Sequence, residues 1–282
     1  MSCHFLTSIS KKDNLPNNQQ RDGRIDMTIV VGIICKNGVV MASDSQAESF
    51  RGVKVKRVDY HKIVTFPATE DLYIAVSGAG VGTFISKATD KLKEKYESTK
   101  IATCDELANT SEGIMVSLSK RYVVDKMEAL GLPPSQDIKN ELELNFILLV
   151  GCTNKSGEEL GLYTVHPDGI AERGEKFSTI GSGSAYAEYL LTKMYKDGLS
   201  TEQGKQLAVF VIEEVKRIDP GCGGPTQVVV LDKDGIHKLT PEEVKAISEN
   251  LYKTEGCTNG VWWAVVNGEK SCDAIDKFLG SH

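Results

Sequence analysis

Apolar residues recur at period two in some stretches of this chain and near period 3.6 in others, and the switches between the two periods divide it into elements. Residues 28–35 and 38–43 are two largely apolar runs joined at Lys36-Asn37-Gly38. An Asn-Gly pair between apolar runs is the strongest short-range sign of a β-hairpin. Residues 46–60 are charged, carry Gly52, and read as a connection into a strand at Lys62-Ile63-Val64-Thr65-Phe66. Leu72-Tyr73-Ile74-Ala75-Val76 reads as another strand, running into the glycine-rich turn Ser77-Gly78-Ala79-Gly80-Val81-Gly82. Two amphipathic helices follow. The first carries Phe84, Ile85, Ala88, Leu92 and Tyr96 on one face. The second opens on the capping-box pattern Thr103-Cys104-Asp105-Glu106, carries Leu107, Ile114, Met115, Leu118, Tyr122 and Met127, and stops at Gly131-Leu132-Pro133-Pro134.

The second half repeats the alternation. Residues 146–152 are apolar almost throughout, which predicts a strand buried on both faces, with residues 160–165 and 169–172 as hairpin partners around Pro167-Asp168-Gly169. Thr179-Ile180-Gly181-Ser182-Gly183-Ser184 leads into a helix with Tyr186, Tyr189, Leu190 and Met194. Ser200-Thr201-Glu202-Gln203 caps a further helix that is apolar on most sides, so it is expected to be sandwiched. Asp219-Pro220-Gly221-Cys222-Gly223-Gly224 breaks that helix and leads into a last core strand at residues 227–231. Thr240-Pro241-Glu242-Glu243 caps a short helix with Val244, Ile247 and Leu251. The order strands, two helices, strands, two helices, strand gives an α+β protein in which two sheets bury one face on each other and the other face on helices. That is a four-layer αββα sandwich.

Composition narrows the function classes. The 282 residues carry 33 Lys+Arg against 39 Asp+Glu, a net charge of −6 with the signs interspersed and no basic stripe, which argues against a nucleic-acid partner. Seven cysteines without a Cys-x-x-Cys pair fit a reduced, cytoplasmic protein with no structural zinc, and no cofactor is expected. No run approaches a membrane-spanning length, so no membrane association is expected. The 77–82 stretch lacks the Gly-Lys-Ser/Thr ending of a phosphate loop. Residues 1–27 are polar and turn-rich, without the apolar segment of a secretory signal, and read as a disordered leader or propeptide ahead of a domain over 28–240 and a C-terminal helix and tail over 241–282.

The first residue of the hairpin carries the candidate chemistry. A threonine hydroxyl needs a base beside it to act as a nucleophile. Were Thr28 the first residue, its own α-amine, titrating near ~7.7–8.0, would be that base. On residues 28–38 alone the alternative stands equally: a β-branched residue opening a strand.

Thr28-Ile29-Val30-Val31-Gly32, Ala42-Ser43-Asp44-Ser45, Ser77-Gly78, Gly181-Ser182-Gly183-Ser184 and Asp219-Pro220-Gly221-Cys222-Gly223-Gly224, taken in that order and spacing, resemble a 20S-type proteasome β subunit. That family belongs to the N-terminal nucleophile hydrolases, whose fold is the αββα sandwich, and the resemblance spans roughly residues 28–240. It implies that Thr28 is the nucleophile, Asp44 its acidic partner and Lys62 the active-site lysine. Lys54, Lys56 and His61 compete for the last place because the connection before Lys62 is longer than the family pattern. It further implies the backbone N–H of Gly78 as oxyanion donor, Ser182 and Asp219 as supports of the N-terminal amine, and Cys222 where the family usually has a hydroxyl. A thiol donates a weaker hydrogen bond, so that link is expected to be looser. Ala47, Val76, Gly80 and Phe84 match positions that shape a substrate pocket, which favours cleavage after apolar residues.

The implied function is a threonine endopeptidase acting on peptides or unfolded protein inside a homo-oligomeric ring, with or without α-type subunits and an ATP-dependent activator. An inactive structural subunit, or an amidohydrolase or peptide ligase on a small substrate, is the alternative. The residue before Thr28 is Met27 where self-processing relatives carry glycine, so either a propeptide is cut at an unusual bond or Met27 is the true start and is trimmed.

Overall fold

The computed structural model describes residues 28–50, 54–66, 72–99, 101–131 and 144–268. The expectations placed on residues 1–27, on Pro133-Pro134 and on the tail beyond residue 268 lie outside them. Strands β1 (Val30–Cys35), β2 (Gly38–Ser43), β10 (Phe177–Ile180), β11 (Gln227–Asp232) and β12 (Gly235–Lys238) form one sheet in the order β10-β1-β2-β11-β12. A second sheet runs in chain order through β5 (Val64–Phe66), β6 (Leu72–Gly80), β7 (Phe146–Asn154), β8 (Leu160–Val165) and β9 (Ala171–Arg173). Helices α1 (Gly82–Ser98) and α2 (Cys104–Ser119) cover the second sheet, with α3 (Asp125–Ala129) following α2 in the chain; α4 (Ser184–Met194), α5 (Thr201–Ile218) and α6 (Pro241–Val266) cover the first. The expected four layers are present.

The period-two pattern explains the layering. In β7, Phe146, Leu148, Val150 and Cys152 enter the helix-side core with Leu92, Leu107 and Met115, while Ile147 and Leu149 enter the core between the sheets. In β1 and β2, Val31, Ile33, Val40 and Ala42 face α5, and Val30, Val39 and Met41 face the other sheet. The two sheets interlock by large-against-small pairing, since a side chain added at Gly32 would collide with Leu162, and one at Gly151 with Met41. Capping boxes hold Thr103–Glu106, Ser200–Gln203 and Thr240–Glu243 as their sequences predict.

Several local expectations give way to tertiary structure. The first hairpin turns at Lys36-Asn37, one residue early, with Cys35 paired to Gly38. Asn37 accepts a hydrogen bond through its side chain from the Thr201 N–H at 3.1 Å and so caps α5, while Gly38 is required because a Cβ there would strike the Leu231 carbonyl. Within residues 46–60 lies a two-stranded sheet, β3 (Ala47–Phe50) with β4 (Lys54–Arg57), hidden in the sequence by its charge. The expected turn at 77–82 is strand through Gly80, because Gly78, Ala79 and Gly80 pair with Leu148, Ile147 and Phe146. Edge strands β10 and β12 are short and lacked a pattern of their own. In α4 the buried residues are Ala187 and Leu191, with Tyr186, Tyr189 and Met194 exposed. A π-helical turn, Lys120–Val124, joins α2 to α3. The predicted short terminal helix is 26 residues long and carries Trp262 and Trp263, both mainly exposed.

Leu162 is fully buried between the sheets over Gly32. Leu162→Ala is expected to lower unfolding free energy by about 2–5 kcal/mol, because the gap over a glycine cannot collapse; urea unfolding followed by far-UV circular dichroism measures it.

Candidate active site

The hairpin register builds the first half of the site. Val30 pairs with Ser43, so Ile29 lies opposite Asp44 and the two residues exchange bonds: the Ile29 N–H donates to Asp44 Oδ1 at 3.1 Å, and the Asp44 N–H to the Ile29 carbonyl at 3.3 Å. Thr28 thereby sits beside the Asp44 carboxylate although sixteen residues separate them. The other Asp44 oxygen accepts from the N–H groups of Gln46 at 3.2 Å and Gly223 at 3.0 Å. The carboxylate is fully buried and accepts from three main-chain N–H groups.

The second half comes from the opposite sheet. Lys62 precedes β5; its N–H donates to Gln227 Oε1 at 3.1 Å and its carbonyl accepts from the Ser77 hydroxyl at 2.9 Å. So anchored, its side chain crosses the gap between sheets, and Nζ donates to Asp44 Oδ1 at 2.7 Å and to Thr28 Oγ1. The ammonium is 6 % exposed. A buried cation against a hydroxyl lowers the cost of removing its proton, and Asp44 compensates the cation's desolvation. Of the competitors, Lys56 is exposed, His61 lines the neighbouring cavity, and Lys54 lies on β4.

A third group surrounds the Thr28 main chain. The Thr28 N–H donates to Ser182 Oγ at 3.3 Å, and Ser182 donates to Asp219 Oδ2 at 2.8 Å. The Gly183 N–H reaches the Thr28 carbonyl at 3.3 Å. Gly181 takes a φ of 105° there, and a Cβ would overlap that same carbonyl, so only glycine lets the segment wrap Thr28. Cys222 Sγ lies 3.5 Å from Asp219 Oδ2, the long contact expected of a thiol. Burial, then the Asp44 and Asp219 carboxylates, push the Cys222 thiol up to about 12.

A cavity of about 640 Å³ opens at Thr28 and Lys62, lined in part by Ala47, Val64, Val76, Gly78 and Ile85. β5 pairs with β6 no further than Val76, which leaves Ser77 and Gly78 with β7 on one side and this cavity on the other. Alternate main-chain N–H groups of an antiparallel strand face such an open side. Of the residues expected at a substrate pocket or as oxyanion donor, Ala47, Val76 and Gly78 line this cavity. Gly80 and Phe84 do not line the cavity: Phe84 packs against Tyr122 and Phe146, and Gly80 against the main chain at Asn145. Sequence reasoning missed Ser77, Gln46 and Gln227, polar side chains that fix the backbone around the site. Ser77 stood in a quoted motif; the two glutamines offered no signal. Among the described residues no group of three or more His, Cys, Asp or Glu is placed to hold a metal ion, and no helix is long and apolar enough to cross a membrane.

Comparisons with known proteins bear on the family and the fold. A family model described as "Proteasome subunit" matches residues 143–231. The chain is 27 % identical over 224 residues to "Proteasome subunit beta" of Methanosphaera stadtmanae, covering 79 % of this chain and 96 % of that protein. It is 28 % identical over 228 residues to the protein of that name from Methanocella paludicola, covering 80 % and 94 %. Among solved structures, Anbu (ancestral beta-subunit) from Yersinia bercovieri superimposes with a TM-score of 0.65 at 17 % identity, covering 83 % of this chain and 97 % of that one. The fold is the α+β sandwich of the N-terminal nucleophile hydrolases. Over most of its length the chain is similar to proteasome β subunits, and the family model matches its second half in part.

Asp44→Asn must turn an amide NH₂ toward a main-chain N–H or toward Lys62, and leaves a buried ammonium uncompensated. It is expected to destabilise by about 3–5 kcal/mol, more than Lys62→Met, which removes the cation and leaves Asp44 with three main-chain donors; paired denaturant titrations compare them. The Cys222 thiol should stay protonated in the native protein at pH 8, where unfolded thiols are partly ionised. Iodoacetamide should therefore label it far more slowly in native than in denatured protein, as quantified by peptide mass spectrometry.

Proposed function

We propose that the protein is a threonine endopeptidase, the β-type subunit of a self-compartmentalising ring, in which Thr28 becomes the first residue by removal of the segment ending at Met27. The observation that carries this reading is that Lys62 Nζ reaches Asp44 Oδ1 and Thr28 Oγ1 together across two sheets. An ammonium held there supports a nucleophile and has no evident use in a purely structural subunit.

In the proposed reaction the freed Thr28 amine, held by Ser182 and Asp219, takes the hydroxyl proton through a water. Oγ1 attacks the scissile carbonyl of a peptide lying in the cavity, and the main-chain N–H of Gly78 meets the oxyanion. Collapse expels the amine product, which carries away the proton, and leaves an ester on Thr28. Water then hydrolyses the ester and restores the hydroxyl. Ala47, Val64, Val76 and Ile85 make the cavity wall suited to apolar side chains. The working assembly is a cytoplasmic homo-oligomeric ring fed with unfolded chains, and native mass spectrometry tells whether α-type subunits join it.

Active material should begin Thr-Ile-Val-Val on N-terminal sequencing, and an epoxyketone that needs both hydroxyl and amine should label Thr28 alone. Thr28→Ala should abolish labelling and hydrolysis of apolar fluorogenic peptides, Thr28→Ser should retain measurable turnover, and Lys62→Ala should lower kcat at least about a hundredfold where Lys56→Ala does not. Hydrolysis surviving in pure Thr28→Ala, or activity in protein that keeps residues 1–27, defeats the reading.

A further inference from the structure

Between α5 and β11 the chain runs through residues 219–226, and this loop reaches two parts of the site. Asp219 bonds Ser182, the Gly223 N–H bonds Asp44, and Gln227, one residue past the loop, holds the Lys62 main chain. Three glycines give the loop wide backbone freedom, which its two prolines restrict only at residues 220 and 225. Asp219 ends α5, with its N–H on the Val215 carbonyl, and the opposite end needs a separate anchor.

That anchor is a closed polar triangle. Thr226 Oγ1 donates to Glu213 Oε1 at 2.6 Å, Lys216 Nζ donates to the same oxygen at 2.7 Å, and Lys216 Nζ donates to Thr226 Oγ1 at 3.1 Å. Thr226 is 7 % exposed and the two charged side chains are 18 % and 16 % exposed, so the triangle is largely shielded from water. It ties the end of the loop back onto the last two turns of the helix from which the loop departs. Tyr252 of α6 completes it by donating its hydroxyl to Glu213 Oε2 at 3.3 Å.

We infer that Glu213, Lys216 and Thr226 are positioning residues: they clamp the far end of the 219–226 loop onto α5 and thereby hold the Gly223 N–H on Asp44 and Gln227 under Lys62. This rests on the proposed peptidase reading for its catalytic consequence, but not for its structural one. None of the three lines the cavity or touches Thr28, so the clamp acts through Asp44, Asp219 and Lys62. Releasing it lets the loop shift without removing any group that meets substrate, and such a shift degrades the reacting geometry more than substrate binding.

The test uses the full chain for structure and material beginning at Thr28 for turnover. Thr226→Val removes the hydroxyl at nearly constant volume, Glu213→Gln removes the charge that holds Lys216, and Thr226→Ser restores the hydroxyl. Thr226→Val and Glu213→Gln should each raise native iodoacetamide labelling of Cys222 and amide exchange of Gly223 roughly tenfold or more, with global unfolding midpoints still well above the assay conditions, and Thr226→Ser should return both to wild-type values. In turnover, kcat should fall roughly tenfold with KM unchanged, again rescued by serine. Unchanged labelling and exchange in both variants overturn the clamp, as does a rise in KM alone. A wild-type protein without Thr28-dependent hydrolysis defeats the peptidase reading, and the labelling and exchange results still decide the clamp.

Discussion

The site depends on one contact across the molecule: the Lys62 ammonium, carried by one sheet, lying between the Asp44 carboxylate and the Thr28 hydroxyl of the other. Removing both charges from water is costly, and their mutual attraction compensates only with close geometry and with the remaining lone pairs satisfied. The chain meets that condition with main-chain N–H groups from Ile29, Gln46 and Gly223, three separate segments converging on one carboxylate. Asp44 therefore joins the first hairpin, its exit and the 219–226 loop as well as partnering Lys62.

Because Lys62 and Thr28 belong to different sheets, the spacing between sheets sets the distance between them. That spacing is fixed by the interlocked core in which Leu162 fills the space over Gly32 and Met41 the space over Gly151. Close-packed interiors deform little, so an ammonium on a flexible stem can meet a hydroxyl with little freedom left at either end. The outer cores hold each sheet against its helices, and α5 is central there, packing on β1 and β2 while its last turns anchor the loop that reaches Asp44 and Ser182.

The glycines divide by task. Gly181 lets the chain wrap the Thr28 carbonyl, and Gly38 makes room for the Leu231 carbonyl. Gly78 lies at the open edge of β6, where β5 stops pairing and the strand borders the cavity. Cys222 meets Asp219 through a buried thiol at 3.5 Å, which leaves Ser182, at 2.8 Å, as the closer partner of Asp219.

The sequence by itself determined the alternation of strand and helix periods, the capping boxes, the two-sided burial of β7 and hence the layered α+β fold, because these are local signals written at periods of two and 3.6. It also singled out Thr28, Asp44, Lys62, Ser182 and Asp219 as one constellation, through motif order. It put Lys62 ahead of Lys54, Lys56 and His61 only by its place at the head of a strand, since neighbouring basic side chains look alike until the fold sends one across the gap. Nor did it find β3, β4, β10 or β12, whose ladders come from distant partners, or the length of α6. Ser77, Gln46, Gln227 and the Glu213–Lys216–Thr226 triangle were decided by tertiary structure alone: polar side chains that bond main chain or one another across long sequence separations have no periodicity, and only the packed chain brings their partners within hydrogen-bond reach.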